Sequence, residues 1–497
     1  VEFSARPSSL KELKTDLLAL GVSNSILLSN LGQEIDRHLG GLLYRILKKE
    51  EFKGDVGESR LLETHDKIGA HNLLLVGLGK EESFEPETLR KAAAAIVRAG
   101  KKLHAAKISL EDFHLNKKRI SAEARGQALA EGVILGNYSF DLYKTNSKKI
   151  QKSTIHHTEI LTSEIAAVGR GLKRGLTFGE ATNFARDLIN IPACDMTPRR
   201  MADEARKIGE LPSLLVKIYD KKQIEKMGMG LYLAVARGSV EPPYFIHLHY
   251  RPSRASKKKI VIIGKGVTFD SGGLSLKTAQ GMETMKDDMS GAAAVVSVMG
   301  ALSTLRPSVE VHGIAAMTEN MPSGSAERPG DIAKAMNGKT VEILNTDAEG
   351  RLTLADALCY AQKQKPDLMI DIATLTGACV VALGELCSGV LGNNQKLIEQ
   401  LIESGQVTGE KIWQLPLVEE YKEELKSPIA DLKNVGGRWG GTINGALFLQ
   451  EFVDSKIPWA HIDIAGPSWT EKDLGTCPRG GTGFMVRTLL HFLLSNF

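Results

Sequence analysis

Cysteine is scarce and unpatterned in this chain. Five cysteines, Cys194, Cys359, Cys379, Cys387 and Cys477, stand among 497 residues. Their number is odd and no CxxC pair occurs, which excludes a disulfide-framed secreted domain and points to free, mostly buried thiols in a reducing compartment. A surplus of charge of one sign is missing too. The 63 basic residues against 59 acidic ones leave +4, too balanced for a nucleic-acid coat. The stretch that reads as most apolar, residues 372–383, is too short to span a bilayer; it is bounded by Asp371 and Glu385 and reads as a buried strand end and helix. No amino-terminal signal peptide is visible, so a soluble cytoplasmic protein with no membrane partner is expected. There is no internal repeat, no HExxH and no Cys/His zinc spacing, which disfavours a single-zinc protease of that type. Neither GxxxxGK[ST] nor a GxGxxG opening a helix is present, which disfavours nucleotide binding.

What is present is organised in two parts, as the length suggests. In the first, residues 25–28 and 72–79 read as strands, and residues 89–102 and 122–136 as helices. The basic polar stretch 144–157, with Lys144, Lys148, Lys149 and Lys152, is the linker candidate. A helix over about 164–189 follows it and bridges the parts. The division expected is therefore a smaller amino-terminal α/β domain over 1–160, a linker helix over 161–190 and a larger carboxy-terminal α/β domain over 191–497. In the second part, apolar β-rich runs at 259–263, 309–316, 341–344 and 368–372 alternate with helical stretches such as 291–305 and 354–363. That rhythm predicts a mixed, mainly parallel central sheet covered on both faces.

The polar residues of this part fall just after the apolar runs. Lys265 follows the first, Glu319 and Asn320 the second, Asp347, Glu349 and Arg351 the third, Thr374 and Thr376 the fourth. Ligands bind beyond the carboxyl ends of strands in open α/β sheets. The segment Asn345-Thr346-Asp347-Ala348-Glu349-Gly350-Arg351-Leu352 sets two carboxylates and a guanidinium at a strand-to-helix turn. Such charges are costly to bury unless paired; a divalent metal suits the acids and an oxyanion suits the arginine. A second cluster, residues 264–277, carries Lys265, Asp270 and Lys277 among glycines that permit tight backbone geometry, and Asp288 follows in 285–291. Four carboxylates, Asp270, Asp288, Asp347 and Glu349, repel one another in one cleft unless two cations bridge them. Oxygen-rich sites favour Mg²⁺ or Mn²⁺, with Zn²⁺ also open. Taken singly, Asp288 reads as a helix cap, Lys265 and Lys277 as surface charges, His461 as a core histidine, and Asp287 as solvated and without a role.

The 345–352 segment resembles the signature of the leucyl (cytosol) aminopeptidase family of metallopeptidases. Segments 264–277 and 285–291, Arg328-Pro329-Gly330-Asp331 and residues 371–378 match it in order, and the resemblance runs from about residue 175 to the end. It implies a carboxy-terminal catalytic domain holding two divalent metal ions, Mn²⁺ or Zn²⁺, a smaller amino-terminal domain similar to macro domains, peptide substrates and a homohexamer. Carried over by position, it implies that Lys265, Asp270, Asp288 and Glu349 hold the tighter metal. Asp270, Asp347 and Glu349 hold the more exchangeable one, and a hydroxide bridges the two. Lys265 is then a neutral amine, its pKa lowered by the dications. Lys277 stays charged, polarises the scissile carbonyl and stabilises the gem-diolate. Arg351 holds a bicarbonate that acts as general base. Met285, Asn345, Thr374 and Gly377 line or order the substrate pocket, Met285 offering apolar contact to a leucine-like side chain. Many members carry Pro after the catalytic lysine; here Thr278 follows Lys277. Some bacterial members also bind DNA, a reading that Lys257-Lys258-Lys259 and the basic linker motivate. The short run and small net charge argue instead for a solvated face. Nothing in the sequence requires nucleotide binding by the amino-terminal domain.

Overall fold

The structure, a computed structural model, describes residues 1–49, 52–113, 120–145, 155–254, 256 and 258–497. Lys148, Lys149 and Lys152 of the expected linker, and Lys257 of the basic run, lie outside the described residues. The chain forms two compact units, Val1–Glu180 with Lys472–Pro478, and Ala181–Glu471 with Arg479–Phe497. The helix Ile165–Asn190 runs through the division.

The first unit is built on six strands, β1 (Glu2–Arg6), β2 (Thr15–Ser23), β3 (Ser59–Glu63), β4 (Ala70–Gly79), β5 (Lys107–Glu111) and β6 (His157–Leu161), in the order β1-β6-β5-β2-β4-β3. Only the β3–β4 pair is antiparallel. The central β2 shows why its sequence is continuously apolar. Leu17 and Ala19 enter one core, shared with the helix Pro86–Lys102, while Leu18 and Leu20 enter the core on the other face. Residues 25–28, expected as a strand, are instead a connection into the helix Asn30–His38. Ile26 has a φ of 58°, which breaks extended pairing, and Ser29 caps the helix by accepting from Gly32 N–H at 3.0 Å.

The second unit holds an eight-stranded sheet: β7 (Leu214–Tyr219), β8 (Tyr244–Tyr250), β9 (Lys259–Asp270), β10 (Glu310–Asn320), β13 (Leu368–Ala373), β14 (Cys387–Gly392), β15 (Lys411–Gln414) and β17 (Trp459–Asp463). Their order is β15-β14-β17-β13-β9-β10-β8-β7, with β17, β13, β9 and β10 mutually parallel. A small sheet of β11 (Asp331–Lys334), β12 (Thr340–Ile343) and β16 (Leu432–Lys433) accompanies it. The apolar runs at 259–263 and 309–316 thus belong to strands several residues longer, and Lys265 lies inside β9 rather than beyond it. The stretch Ala279–Leu305 is long and apolar enough to cross a membrane, but 78% of its apolar window is buried. Its apolarity belongs to the core. Residues 372–383 divide differently from expectation. The end of β13 is buried, but in the helix Gly377–Leu383 only Cys379 is, and Val381 is 89% exposed.

Candidate active site

The parallel strands deliver their charged residues to one end of the sheet. Lys265 and Asp270 come from β9, Thr374 from the turn after β13, Asp288 from the approach to the helix Ser290–Leu305, and Asp347 and Glu349 from the turn between β12 and the helix Gly350–Gln362. They line a cavity of about 320 Å³ together with Lys277, Met285, Asp287, Arg351, Leu375, Thr376, Gly377, Val380 and Ala465. Glu319 and Asn320, which follow the second apolar run, do not line it, and of the residues to which the resemblance gives a site role only Asn345 does not. Its side chain accepts from the Asp347 N–H at 2.9 Å, and its carbonyl accepts from Asn434 Nδ2 at 2.7 Å, so it orders the turn that carries Asp347.

Carboxylates and ammoniums interleave. Lys265 Nζ donates to Asp288 Oδ1 at 2.6 Å and to the Thr374 carbonyl at 2.8 Å, and pairs with Glu349 Oε1 at 2.9 Å. Lys277 Nζ pairs with Asp270 Oδ2 at 2.9 Å and with Asp347 Oδ1. Asp270 Oδ1 accepts from Asn320 Nδ2 and from the Gly272 N–H, both at 2.8 Å. Gly272 and Gly273 have φ of 84° and 65°, which lets the chain turn back on Asp270. Thr374 Oγ1 donates to Asp288 Oδ1 at 2.7 Å.

The electrostatics follow from burial and crowding. Burial by itself lowers the ammonium of Lys265, but Asp288, Glu349 and Asp270 outweigh it and hold it above its ordinary value. Lys277 is held up in the same way by Asp270 and Asp347. Burial and the charge of Glu349 push Asp270 up to about 6. Burial raises Asp288 far above the carboxylate range against the pull of Lys265, whereas for Glu349 the lysine prevails. Burial brings Arg351 down to about 10, so it is still a cation at neutral pH.

The donor set suits divalent metal. Asp270, Asp347 and Glu349 present ligand atoms all within 4.8 Å of one another. Asp288 Oδ2 and Glu349 Oε2 are buried without any hydrogen-bond partner. A buried carboxylate oxygen left so is costly unless a cation takes it. Arg351 donates from Nη1 to the Asn434 carbonyl at 2.9 Å, while its buried Nε is unpartnered.

Three residues escaped the sequence reading. Asp287, expected to be solvated, is buried against Ser468, whose hydroxyl donates to Oδ2 at 3.3 Å, and burial takes it up to about 7. Its neighbour Asp288 turns to the opposite task because the backbone there coils in a single 3₁₀ turn, Met285–Asp287. Asn434 holds Arg351, Asn345 and the Leu344 N–H at once, from about ninety residues away in sequence. Asp356 accepts from the N–H groups of Tyr232 and Met336 at 2.9 and 2.7 Å and anchors the helix that begins beside Glu349. His461 is a core histidine, as expected, fully buried with Nδ1 2.6 Å from Asp371 Oδ1.

Residues 183–490 match the cytosol aminopeptidase family, catalytic domain, and residues 19–147 its N-terminal domain. A probable cytosol aminopeptidase of Sulfurihydrogenibium sp. is 46% identical, over 99% of this chain and 98% of its own length. One from Aquifex aeolicus is 45% identical over 90% of each. Among solved structures, a tomato leucine aminopeptidase mutant superposes with a TM-score of 0.90 at 38% identity, covering 99% of this chain and 96% of that one. The bottromycin maturation enzyme BotP in complex with Mn gives 0.85 at 36% identity, covering 97% and 99%. The chain therefore belongs to the cytosol aminopeptidase family, metal-dependent peptidases that act at the amino-terminal residue.

Proposed function

We propose that this enzyme releases single amino-terminal residues, leucine-like ones preferred, from peptides, using two divalent ions, Mn²⁺ or Zn²⁺. The observation that carries the reading is the pair of buried, unpartnered oxygens, Asp288 Oδ2 and Glu349 Oε2, in a cavity that also holds Lys265, Asp270 and Asp347. Lys265, Asp270, Asp288 and Glu349 would hold one ion, and Asp270, Asp347 and Glu349 the other. When bound, the ions supply Lewis acidity to the carbonyl and an activated water. Lys265 would ligate only as the neutral amine, with its proton given up.

The other residues handle the substrate. Lys277, held charged by Asp270 and Asp347, sits in the same cavity and stabilises negative charge developing on the carbonyl oxygen. Arg351, whose Nε is unpartnered, would hold a bicarbonate, which would supply a general base there. Met285 and Gly377 bound the side-chain space, and Thr374 fixes Asp288. A cavity of about 320 Å³ is of the size that takes a small ligand or a peptide end.

In this reading residues 1–160 form the amino-terminal domain, 161–190 the linking helix and 191–497 the catalytic domain, and the enzyme works as a cytoplasmic homohexamer. The hexamer is part of the proposal, and light scattering measures it. Among the described residues no observation favours DNA binding. Lys258 Nζ donates to Asp367 at 3.0 Å and Lys259 Nζ to the Gln364 carbonyl at 2.9 Å, so both lysines are engaged. The decisive assay is leucine p-nitroanilide hydrolysis by metal-stripped protein with Mn²⁺, Zn²⁺ or Mg²⁺ restored. Recovery by metal, and no cleavage of the amino-blocked substrate, is expected. Undiminished hydrolysis without metal would end the metallopeptidase reading.

A further inference from the structure

A second cluster of ligand side chains lies at the other end of the same sheet. β8 and β10 pair antiparallel with His249 opposite His312 and His247 opposite Ile314. Side chains alternate between faces along a strand, so His247, His249, Glu310 and His312 share one face. β10 runs from Glu310 at this end to Asn320 beside Asp270, about 30 Å at strand rise.

Two imidazole nitrogens converge on one point. His249 Nε2 lies 2.9 Å and His312 Nε2 3.1 Å from the same oxygen, Glu310 Oε1, and the three ligand atoms fall within 4.8 Å of one another. The rings are stacked with centroids 4.1 Å apart. His312 is buried; His249 and Glu310 are half-buried, with side chains 17% and 26% exposed, so both have room to adjust and an ion has a route in.

The ligands have a supporting shell. His312 Nδ1 is 2.7 Å from His247 Nε2, His247 Nδ1 is 3.0 Å from the Tyr360 hydroxyl, and that hydroxyl is 3.0 Å from Tyr219. Glu310 only accepts, so both Nε2 atoms carry protons here, and the relay runs Tyr219 to Tyr360 to His247 to His312. A metal on His312 Nε2 needs the opposite tautomer, with Nδ1–H donating. The relay supplies it by reversing every bond and breaking none. The proton released at Nε2 is balanced by one taken up at Tyr219, the partly exposed end. Fixing the far nitrogen of a ligating histidine is what metal sites require.

We propose that His249, His312 and Glu310 form a zinc site that clamps β8 to β10. Two imidazoles and one carboxylate with an open fourth position are a zinc donor set. Zn²⁺ bonds of about 2.0–2.2 Å are reached by tilting the His249 ring out of the stack and drawing Glu310 back. The ammonium of Lys259, 3.8 Å from Glu310 Oε1, opposes the ion, but the Gln364 carbonyl holds it.

The test counts zinc. Metal-loaded enzyme is dialysed against micromolar free Zn²⁺, and wild type is compared with His249→Ala and Glu310→Gln. Each variant is expected to retain one zinc fewer per chain while keeping its leucine p-nitroanilide activity. The difference does not depend on how many ions the catalytic cavity holds. Co²⁺ is expected to give visible absorption of a four-coordinate site in wild type that Glu310→Gln lacks. Glu310→Gln, a half-buried isosteric change, carries the comparison should His249→Ala fold poorly. Equal zinc in wild type and Glu310→Gln, with unchanged Co²⁺ spectra, overturns the proposal.

Discussion

Lys265 and Lys277 are twelve residues apart, and each is pinned by two carboxylates, yet the fold gives them different work. Lys265 has 4% of its side chain exposed and spends its hydrogen bonds on Asp288 and a main-chain carbonyl. Lys277, at 18%, reaches the cavity from a loop. Substituting Lys277→Ala removes the charge proposed to stabilise the developing oxyanion without touching the buried network around Lys265. Turnover is expected to fall by about 10²–10³, with KM changed little and metal content retained; kcat and KM with atomic emission for metal check this. Near-normal kcat removes Lys277 from its role. The charged residues that line the cavity were legible in the sequence because Asp270, Lys277, Asp288, Asp347 and Glu349 crowd into short segments beyond apolar runs. Asp287 and Asn434 were not. The role of Asp287 depends on which way a single turn faces, and that of Asn434 on a contact across about ninety residues.

At the scale of elements, glycine matters for space rather than for turning. The sequence suggested tight backbone geometry around Lys265 and Asp270, which holds beside Asp270, at Gly272 and Gly273, but not at Gly264 and Gly266, which flank Lys265 inside β9, nor at Gly291. Gly291 opens the Ser290–Leu305 helix where it crosses β9 and β13. A Cβ there meets the Ile372 carbonyl oxygen at 2.1 Å and the Lys265 nitrogen at 2.9 Å. Backbone contact at that crossing sets the position of Asp288, three residues earlier. Gly291→Ala is expected to destabilise by about 1–3 kcal/mol and to lower kcat/KM at least tenfold by shifting Asp288, since small misplacements are costly in rate. Gly169→Ala, in the helix Ile165–Asn190 with nothing within 4 Å, is the control. It is expected to stabilise by up to about 1 kcal/mol. Thermal melts with kinetics on both variants separate the two cases. The strands themselves were legible as apolar runs, but their ends were not. β9 continues through Lys265 to Asp270 because β10 keeps pairing with it after β13 has stopped at Gly264, which local composition does not reveal.

For the whole molecule, two charge problems sit in different units and titrate separately. In the second unit, four carboxylates face two ammoniums in the catalytic cavity. Ions that bind only the folded state stabilise it by about 2.7 kcal/mol at a hundredfold excess over Kd, so chelation is expected to lower Tm and restored Mn²⁺ or Zn²⁺ to raise it. In the first unit, Glu111 at the end of β5 is buried beside Asp112, and burial pushes it from 4.5 up to about 7 despite a hydrogen bond from Ser29. Its folded pKa exceeds its unfolded one. The folded state therefore binds the extra proton between pH 4.5 and 7, and stability falls as pH rises through that window. Glu111→Gln removes the dependence. The variant should match wild type near pH 4.5, gain steadily through the window and be more stable by on the order of 2 kcal/mol above pH 7. Independent sites add within about 0.5 kcal/mol, so the gain should be the same with and without chelator. Melts at four pH values, each with and without chelator, test both terms together. A gain that vanishes on chelation would mean that Glu111 responds to the charge of the catalytic unit rather than to its own burial.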